Sequence, residues 1–197
     1  MTRIALALVL SFAPIGVAVR HVDAAGQTCT RSGDYRTPPR SIRVFISHRR
    51  GSSVPARVVT VSLRTYVSRV MNGGALPAHK PIESLKVGAI AIKQYAWWHV
   101  LHHQRGYRWR GRCYDIRDGD QLYRQPFRSH SRIWRAIDAT WSVSLRKRGR
   151  LFRSGWSGGS IHDGWHLGED SVTGLARRGW GYQRIVRRLL APVELRS

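Results

Sequence analysis

The sequence predicts an α+β fold, and three observations carry that expectation. Short β-branched runs lie at 42–46 and 58–61, and the stretch from about Ile82 to His103 is apolar at helical spacing almost all round. Further amphipathic stretches then alternate with turn-flanked strand candidates. Of 197 residues, 42% are hydrophobic and 10% aromatic, enough for one folded core and too many for a disordered basic tail.

In chain order, Ile42 to Ile46 and Val58 to Val61 read as strands. Ser62 is placed to cap a helix whose Leu63, Tyr66, Val67 and Val70 share one face, with Gly73-Gly74 ending it. After Pro81, Leu85, Ala89, Ile92, Ala96 and Trp97 recur at helical spacing, while Val87, Ala91 and Trp98 fill much of the rest. A helix apolar nearly all round is buried, and this one is the expected centre of the core. Lys86, Lys93 and Gln94 within it argue against a membrane span. Tyr114-Asp115-Ile116 and Leu122-Tyr123 read as short strands across an Asp-Gly turn. Ile133, Trp134, Ile137 and Trp141 mark an amphipathic helix, and Val143 to Lys147 with Leu151 to Trp156 a hairpin about Arg148-Gly149. Two short helices, near Val172 to Arg178 and Tyr182 to Leu190, precede a last extended stretch from Val193 to Leu195.

Residues 1–25 combine Arg3, an apolar run from Ile4 to Val19 and a small-residue close at Ala24-Ala25, the pattern of an export leader. A membrane anchor is the other reading, but the run is short and Pro14 and Gly16 interrupt it. Residues 26–41, with Pro38-Pro39, read as a loose arm, and 42–197 as one undivided domain. Cys29 and Cys113 are the only cysteines. In an exported chain they could close a long loop as one disulfide, or remain two free thiols, because spacing does not report their separation.

The chain carries 34 Lys and Arg against 11 Asp and Glu, a net charge of +23, and +22 once Arg3, Arg20 and Asp23 leave with the leader. Only Lys80, Lys86, Lys93 and Lys147 are lysines, so the charge is almost all guanidinium, suited to bidentate contact with carboxylate or phosphate. A polyanionic partner and a genome-wide composition bias both account for it. Arg177, Arg178, Arg184, Arg187 and Arg188 could follow phosphates, yet they fall outside a helix whose Tyr182, Ile185, Val186 and Leu189 face inward. Export also removes most nucleic acid, so none is expected as a partner. His99 with His103, and His162 with His166 beside Asp163, have the spacing of metal-binding pairs but lack an obvious third ligand. No metal or other cofactor is expected.

Five segments in order resemble the SpoIID/LytB domain of bacterial cell-wall proteins, over about Val58 to Leu195. Val61-Ser62-Leu63-Arg64-Thr65-Tyr66-Val67 is similar to the family's "V-P-L-E-x-Y-V". The helix from Glu83 to Ala96 is similar to "E-A-L-K-A-Q-A-V-A-A-R-T-Y-A", and Cys113-Tyr114-Asp115 with Asp120-Gln121-Leu122-Tyr123 to "C-D-T-T…Q-V-Y". Trp156-Ser157-Gly158-Gly159 resembles the loop "Y-x-S-x-x-G-G", and the stretch from Gly179 to Val186 the closing "G-x-S-Y-x-x-I-L". The resemblance implies a single compact domain, secreted or wall-associated, that engages peptidoglycan glycan strands and anionic wall polymers. It implies either lytic transglycosylase activity or stimulation of a peptidoglycan amidase.

A transglycosylase needs a carboxylic acid to protonate the leaving oxygen. In the family this acid stands in an "E-M-P" motif, and here the matching segment is Met71-Asn72-Gly73-Gly74-Ala75-Leu76-Pro77. The acid's place falls on Gly74 or Ala75, neither of which carries a proton, so activity by this route is in question. Replacement acids are Glu83, Asp115, Asp118, Asp120 and Glu169. Asp115 matches a family position and Glu83 opens the long helix, so these two are the catalytic candidates. Glu83 as a first-turn acid favoured by the helix dipole is the plainer alternative. Lys93, Gln121, Tyr123, Trp156 and Ser157 are the expected groove residues. A snorkelling lysine and buried aromatics are the competing readings for Lys93, Tyr123 and Trp156.

Overall fold

A computed structural model describes residues 29, 36–47, 55–102, 107–124, 130–161 and 163–197, and the expected leader lies outside them. Strand β1 (Ser41–Ile46) buries Ile42, Val44 and Ile46 on one face. It pairs antiparallel with β2 (Arg57–Ser62), in the register Ser41↔Ser62 to Ile46↔Arg57. Helix α1 (Leu63–Val70) follows at once because the Ser62 hydroxyl accepts from the Thr65 N–H at 3.1 Å, capping it as expected. A wide π-type turn, Met71–Ala75, ends it, with Gly74 at φ 114°, which side-chain-bearing residues rarely adopt.

Helix α2 (Ile82–Leu101) is the axis of the molecule. One face, with Leu85, Ala89, Ile92, Ala96 and Val100, packs against β1, α1 and α3 (Ser131–Ala139). Val87, Ile90 and Ala91 pack on the other side against α4 (Glu169–Arg177), α5 (Tyr182–Leu189) and Leu145. No helix among the described residues is long and apolar enough to cross a membrane.

The strands depart from expectation at two places, because their partners are distant in sequence. A hairpin of β3 (Arg108–Trp109) and β4 (Arg112–Cys113) precedes β5 (Ile116–Arg117). β5 takes the free edge of β1 in parallel, Val44 opposite Ile116, rather than pairing across the Asp-Gly turn. Leu122 then turns at φ 56° and the Tyr123 N–H donates to the Asp118 carbonyl at 2.8 Å, so Leu122-Tyr123 is loop, not strand. The expected hairpin about Arg148-Gly149 forms from β6 (Ser144–Lys147) and β7 (Arg150–Leu151), but its second arm stops at Leu151. Gly155–Ser157 (β8) pairs instead in parallel with His166–Gly168 (β9). The closing strand β10 (Glu194–Arg196) adds to β6 with Leu195 opposite Leu145.

Cys29 and Cys113 are disulfide-bonded across 84 residues, with Cα atoms 5.4 Å apart. Arg43 Nη2 also donates to the Cys29 carbonyl at 3.0 Å, so the N-terminal arm is tied to β1 at this point.

Two polar side chains of α2 secure its neighbours. The buried Lys93 ammonium donates to the carbonyls of Thr140, Trp141 and Val143 at 2.8, 2.7 and 2.6 Å, where α3 ends and β6 approaches. Three N–H donors meet three acceptors, so Lys93 neither snorkels nor faces a groove. Gln94 Nε2 donates to the carbonyls of Leu145 and Phe152, and its Oε1 accepts from the Leu145 N–H. Burial pulls the Lys93 pKa from its usual 10.5 to about 7, with the positive charge of Arg64 adding to the effect. Between those values the unfolded chain holds a proton that the folded chain has released, so this group makes stability rise with pH across that window. Lys93→Met is expected to abolish that dependence and, by taking the ammonium from the Trp141 and Val143 carbonyls while Thr140 keeps only the Val143 N–H, to cost about 2 kcal/mol or more. Urea unfolding of both chains at about pH 7 and pH 10 checks this, and equal stability at both would remove Lys93 from the framework.

Candidate functional site

A cleft of about 150 Å³ brings together segments that are far apart in sequence. Val70 from α1 and Ile92 from α2 contribute apolar lining, and the Gly74–Ala75 turn, the loop Asp120-Gln121-Leu122 and Trp156-Ser157-Gly158 also line it. Glu169, the first residue of α4, completes the lining. A roomier groove of about 580 Å³, lined by Asp170, Gly174, Arg178 and Arg188 among others, contains none of the residues the motifs single out.

The cleft's shape follows from one glycine and one hydrogen bond. A Cβ on Gly88 would lie 2.4 Å from Leu76 Cδ2 and 3.8 Å from Trp156 Cη2, so the bare helix surface lets both side chains press onto α2. Trp156 Nε1 then donates to the Ala75 carbonyl at 2.7 Å, linking β8 to the turn after α1. The indole keeps a fixed orientation and remains partly exposed.

Two polar atoms in this cleft are left over. Gln121 is 8% exposed, and its Oε1 accepts from the Tyr66 hydroxyl at 3.1 Å, while its Nε2 is buried without a partner. Ser157 Oγ is likewise buried and unpartnered. Burial, together with the negative charge of Asp120, pushes the Tyr66 pKa well above its usual value, so this phenol stays a neutral donor to Gln121. With its oxygen occupied, Gln121 has a free N–H to offer.

Of the expected site residues, Gln121, Trp156 and Ser157 meet here, and four others do not. Tyr123 is 1% exposed, stacks on Tyr66 with ring centres 5.3 Å apart, and accepts from Arg69 Nη1 at 2.6 Å, which places it in the core. Glu83 accepts from Lys86 Nζ at 2.6 Å and, through Oε2, from the Tyr182 N–H at 2.7 Å, where it caps α5. Asp115 is fully buried and holds Arg43 through its backbone N–H at 2.7 Å and its guanidinium at 2.5 and 3.1 Å. Lys93 is bound as described above. The two carboxylates that do line the cleft are Asp120 and Glu169. Glu169 Oε1 pairs with Lys80 at 2.8 Å, and Asp120 Oδ2 accepts from the Arg117 N–H at 2.9 Å. No local pattern favoured them over the other acids, because only the crossing of β8 with β9 carries Glu169 to the cleft.

The acid's expected place is empty of titratable groups: Gly74 and Ala75 line the cleft, and Asn72 turns back to donate to the Ser68 carbonyl at 2.8 Å. His103 and His162 lie outside the described residues. His166 pairs with Asp163 at 2.5 Å, and among the described residues no group of three His, Cys, Asp or Glu could hold a metal ion.

No family model matches the chain, and neither a curated protein nor a solved structure shows significant similarity to it.

Trp156→Phe keeps the ring and removes the donor to Ala75, so it is expected to cost about 1–2 kcal/mol and to speed amide exchange at Met71 to Leu76 while leaving α2 protected. Hydrogen exchange by mass spectrometry checks this, and a uniform loss of protection would mean that Trp156 acts as core filling only.

Proposed function

We propose that this chain is an exported cell-wall protein of SpoIID/LytB type that grips peptidoglycan glycan strands in the Gly74–Trp156 cleft without cutting them. The observation that carries the reading is the pair of buried, unpartnered polar atoms, Gln121 Nε2 and Ser157 Oγ, in a cleft walled by the Trp156 indole. Each unpaired group costs about 1–3 kcal/mol when buried, which a ligand bonding to both would offset. An N-acetylated sugar suits the set: its acetamido carbonyl accepts from Gln121, its N–H or a hydroxyl meets Ser157, and its ring lies on the indole. The cleft residues come from segments that resemble the family's, and the Cys29–Cys113 bond suits an oxidising compartment. The positive charge favours retention on anionic wall polymers.

Binding without cleavage follows from the turn. A glycan cut needs a proton for the leaving oxygen, and Gly74 and Ala75 have none to give, while Glu169 is engaged by Lys80 and Asp120 by the Arg117 N–H. Such a protein is suited to presenting glycan to a partner peptidoglycan amidase. Incubating the mature chain with peptidoglycan stripped of stem peptides is expected to give co-sedimentation and no soluble anhydromuramic products by mass spectrometry. Gln121→Glu, which keeps the acceptor for Tyr66 and removes the free N–H, should weaken pelleting by about fivefold or more. Failure to pellet would sink the glycan reading. Anhydromuramic products lost in Glu169→Gln would mean instead that the acid has moved to the α4 side of the cleft.

A further inference from the structure

The tip of the β6–β7 hairpin reads Lys147-Arg148-Gly149-Arg150, with Lys147 and Arg150 closing a two-residue turn. Both central residues take positive φ, 52° at Arg148 and 73° at Gly149. Turns of this hand match the strand twist and favour Asn, Asp or Gly at the first centre, so an arginine there is held against local preference. Beside the tip is a cavity of about 500 Å³ lined by Trp98, His102, Arg146, Gly149, Arg150 and Leu151. A second hollow of about 650 Å³ is bounded by Lys147, Arg148 and Arg150. His102 stacks on Trp98 with centroids 4.4 Å apart and planes 12° from parallel, and Arg153 lies 5.1 Å over the same indole. Among the described residues no carboxylate pairs with Lys147, Arg148, Arg150 or Arg153. Glu194, opposite Arg146 on β10, is taken by Arg196 at 2.8 Å.

We infer that this hairpin, with the aromatic end of α2, is a second binding site whose ligand is a phosphodiester-linked polyol polymer of the wall. Phosphates repeating along a flexible chain can each accept two N–H bonds from Arg148 and Arg150. The uncharged polyol or sugar between them lies on the Trp98–His102 stack. Cations with no carboxylate to displace bind such a polymer without first breaking an ion pair. Net charge alone does not select this place: α5 also displays Arg184, Arg187 and Arg188, but there Arg184 itself covers the Trp180 ring at 3.8 Å and Arg188 shares its groove with Asp170, whereas no carboxylate lines either hollow at the hairpin. The choice of a wall polymer over a nucleic acid rests on the exported reading proposed above, whereas the anion site rests on the hairpin itself.

The test uses labelled poly(glycerol phosphate) and fluorescence anisotropy at about 50 and 200 mM salt. Lys147→Gln/Arg148→Asn/Arg150→Gln removes three charges and installs the preferred Asn-Gly turn, so the hairpin stays folded. Arg184→Gln/Arg187→Gln/Arg188→Gln removes three charges elsewhere. Affinity should fall by about tenfold or more in the first variant and by less than about twofold in the second, and the hairpin variant should show the shallower salt dependence. Equal losses, or no binding by the wild type, would overturn the site. A single-stranded oligonucleotide of matched charge bound about tenfold more tightly through the same hairpin would overturn the wall-polymer assignment. Pelleting on phosphate-free glycan, measured beside these, reports the cleft alone, so the two readings fail separately.

Discussion

A helix buried on opposite sides needs more than apolar residues, because the elements that pack on it end in carbonyls that water cannot reach. Lys93 and Gln94 solve this at the centre of α2. The ammonium gathers three carbonyls from the end of α3 and the approach to β6, and the amide takes one from each side of the β6–β7 hairpin. Without these bonds the Trp141, Val143 and Phe152 carbonyls would lose the donor that α2 gives them, and those of Thr140 and Leu145 would keep only the Val143 and Phe152 N–H groups. They fix α3, β6 and β7 to one helix, and the residues leading to β8 start from that fixed point. Trp156 packs against both halves of the core, so the cleft is registered to the same axis.

What was legible in the sequence divides along the range of the forces involved. The α2 helix could be read because its period is written in its own residues, and so could the Ser62 cap and the Arg148-Gly149 turn. Lys93 was misread because its partners lie 47 to 50 residues later and are backbone atoms, which carry no residue-type signal. Leu122-Tyr123 has the composition of a strand, but the left-handed turn at Leu122 and the Tyr123 N–H bond to the Asp118 carbonyl fold it back as a loop, while β5 pairs with β1. Gln121, Trp156 and Ser157, which motif order singled out, come together at the cleft. Glu83 and Asp115 drew attention as acids, yet the role of a carboxylate is set by what stands beside it. One caps α5, and the other holds Arg43 in the sheet.

The chain's few acids are heavily committed, and this shapes its electrostatics. Asp115, Glu83, Glu169, Asp138, Asp163 and Glu194 each pair with a cation or a histidine. Several of these pairs are partly exposed and add little stability. Their effect is spatial, since they neutralise Arg43, Arg64, Lys80, Lys86 and Arg196 and leave the β6–β7 tip uncompensated. The cleft offers neutral donors, an indole and two carboxylates, and the tip offers guanidinium groups beside aromatic rings. A neutral sugar and a phosphate polymer would thus be sorted by chemistry rather than by competition for one surface.

The backbone of the Met71–Ala75 turn disfavours an acidic side chain at Gly74. Gly74 sits at φ 114°, where a glutamate would be strained whatever room surrounds it. Ala75 is 8% exposed, and its carbonyl is the acceptor that fixes Trp156. A side chain at Gly74 would therefore strain the turn whose Ala75 carbonyl holds the Trp156 indole. On the proposed reading, the turn that positions Trp156 for a sugar is also one that disfavours an acid at Gly74.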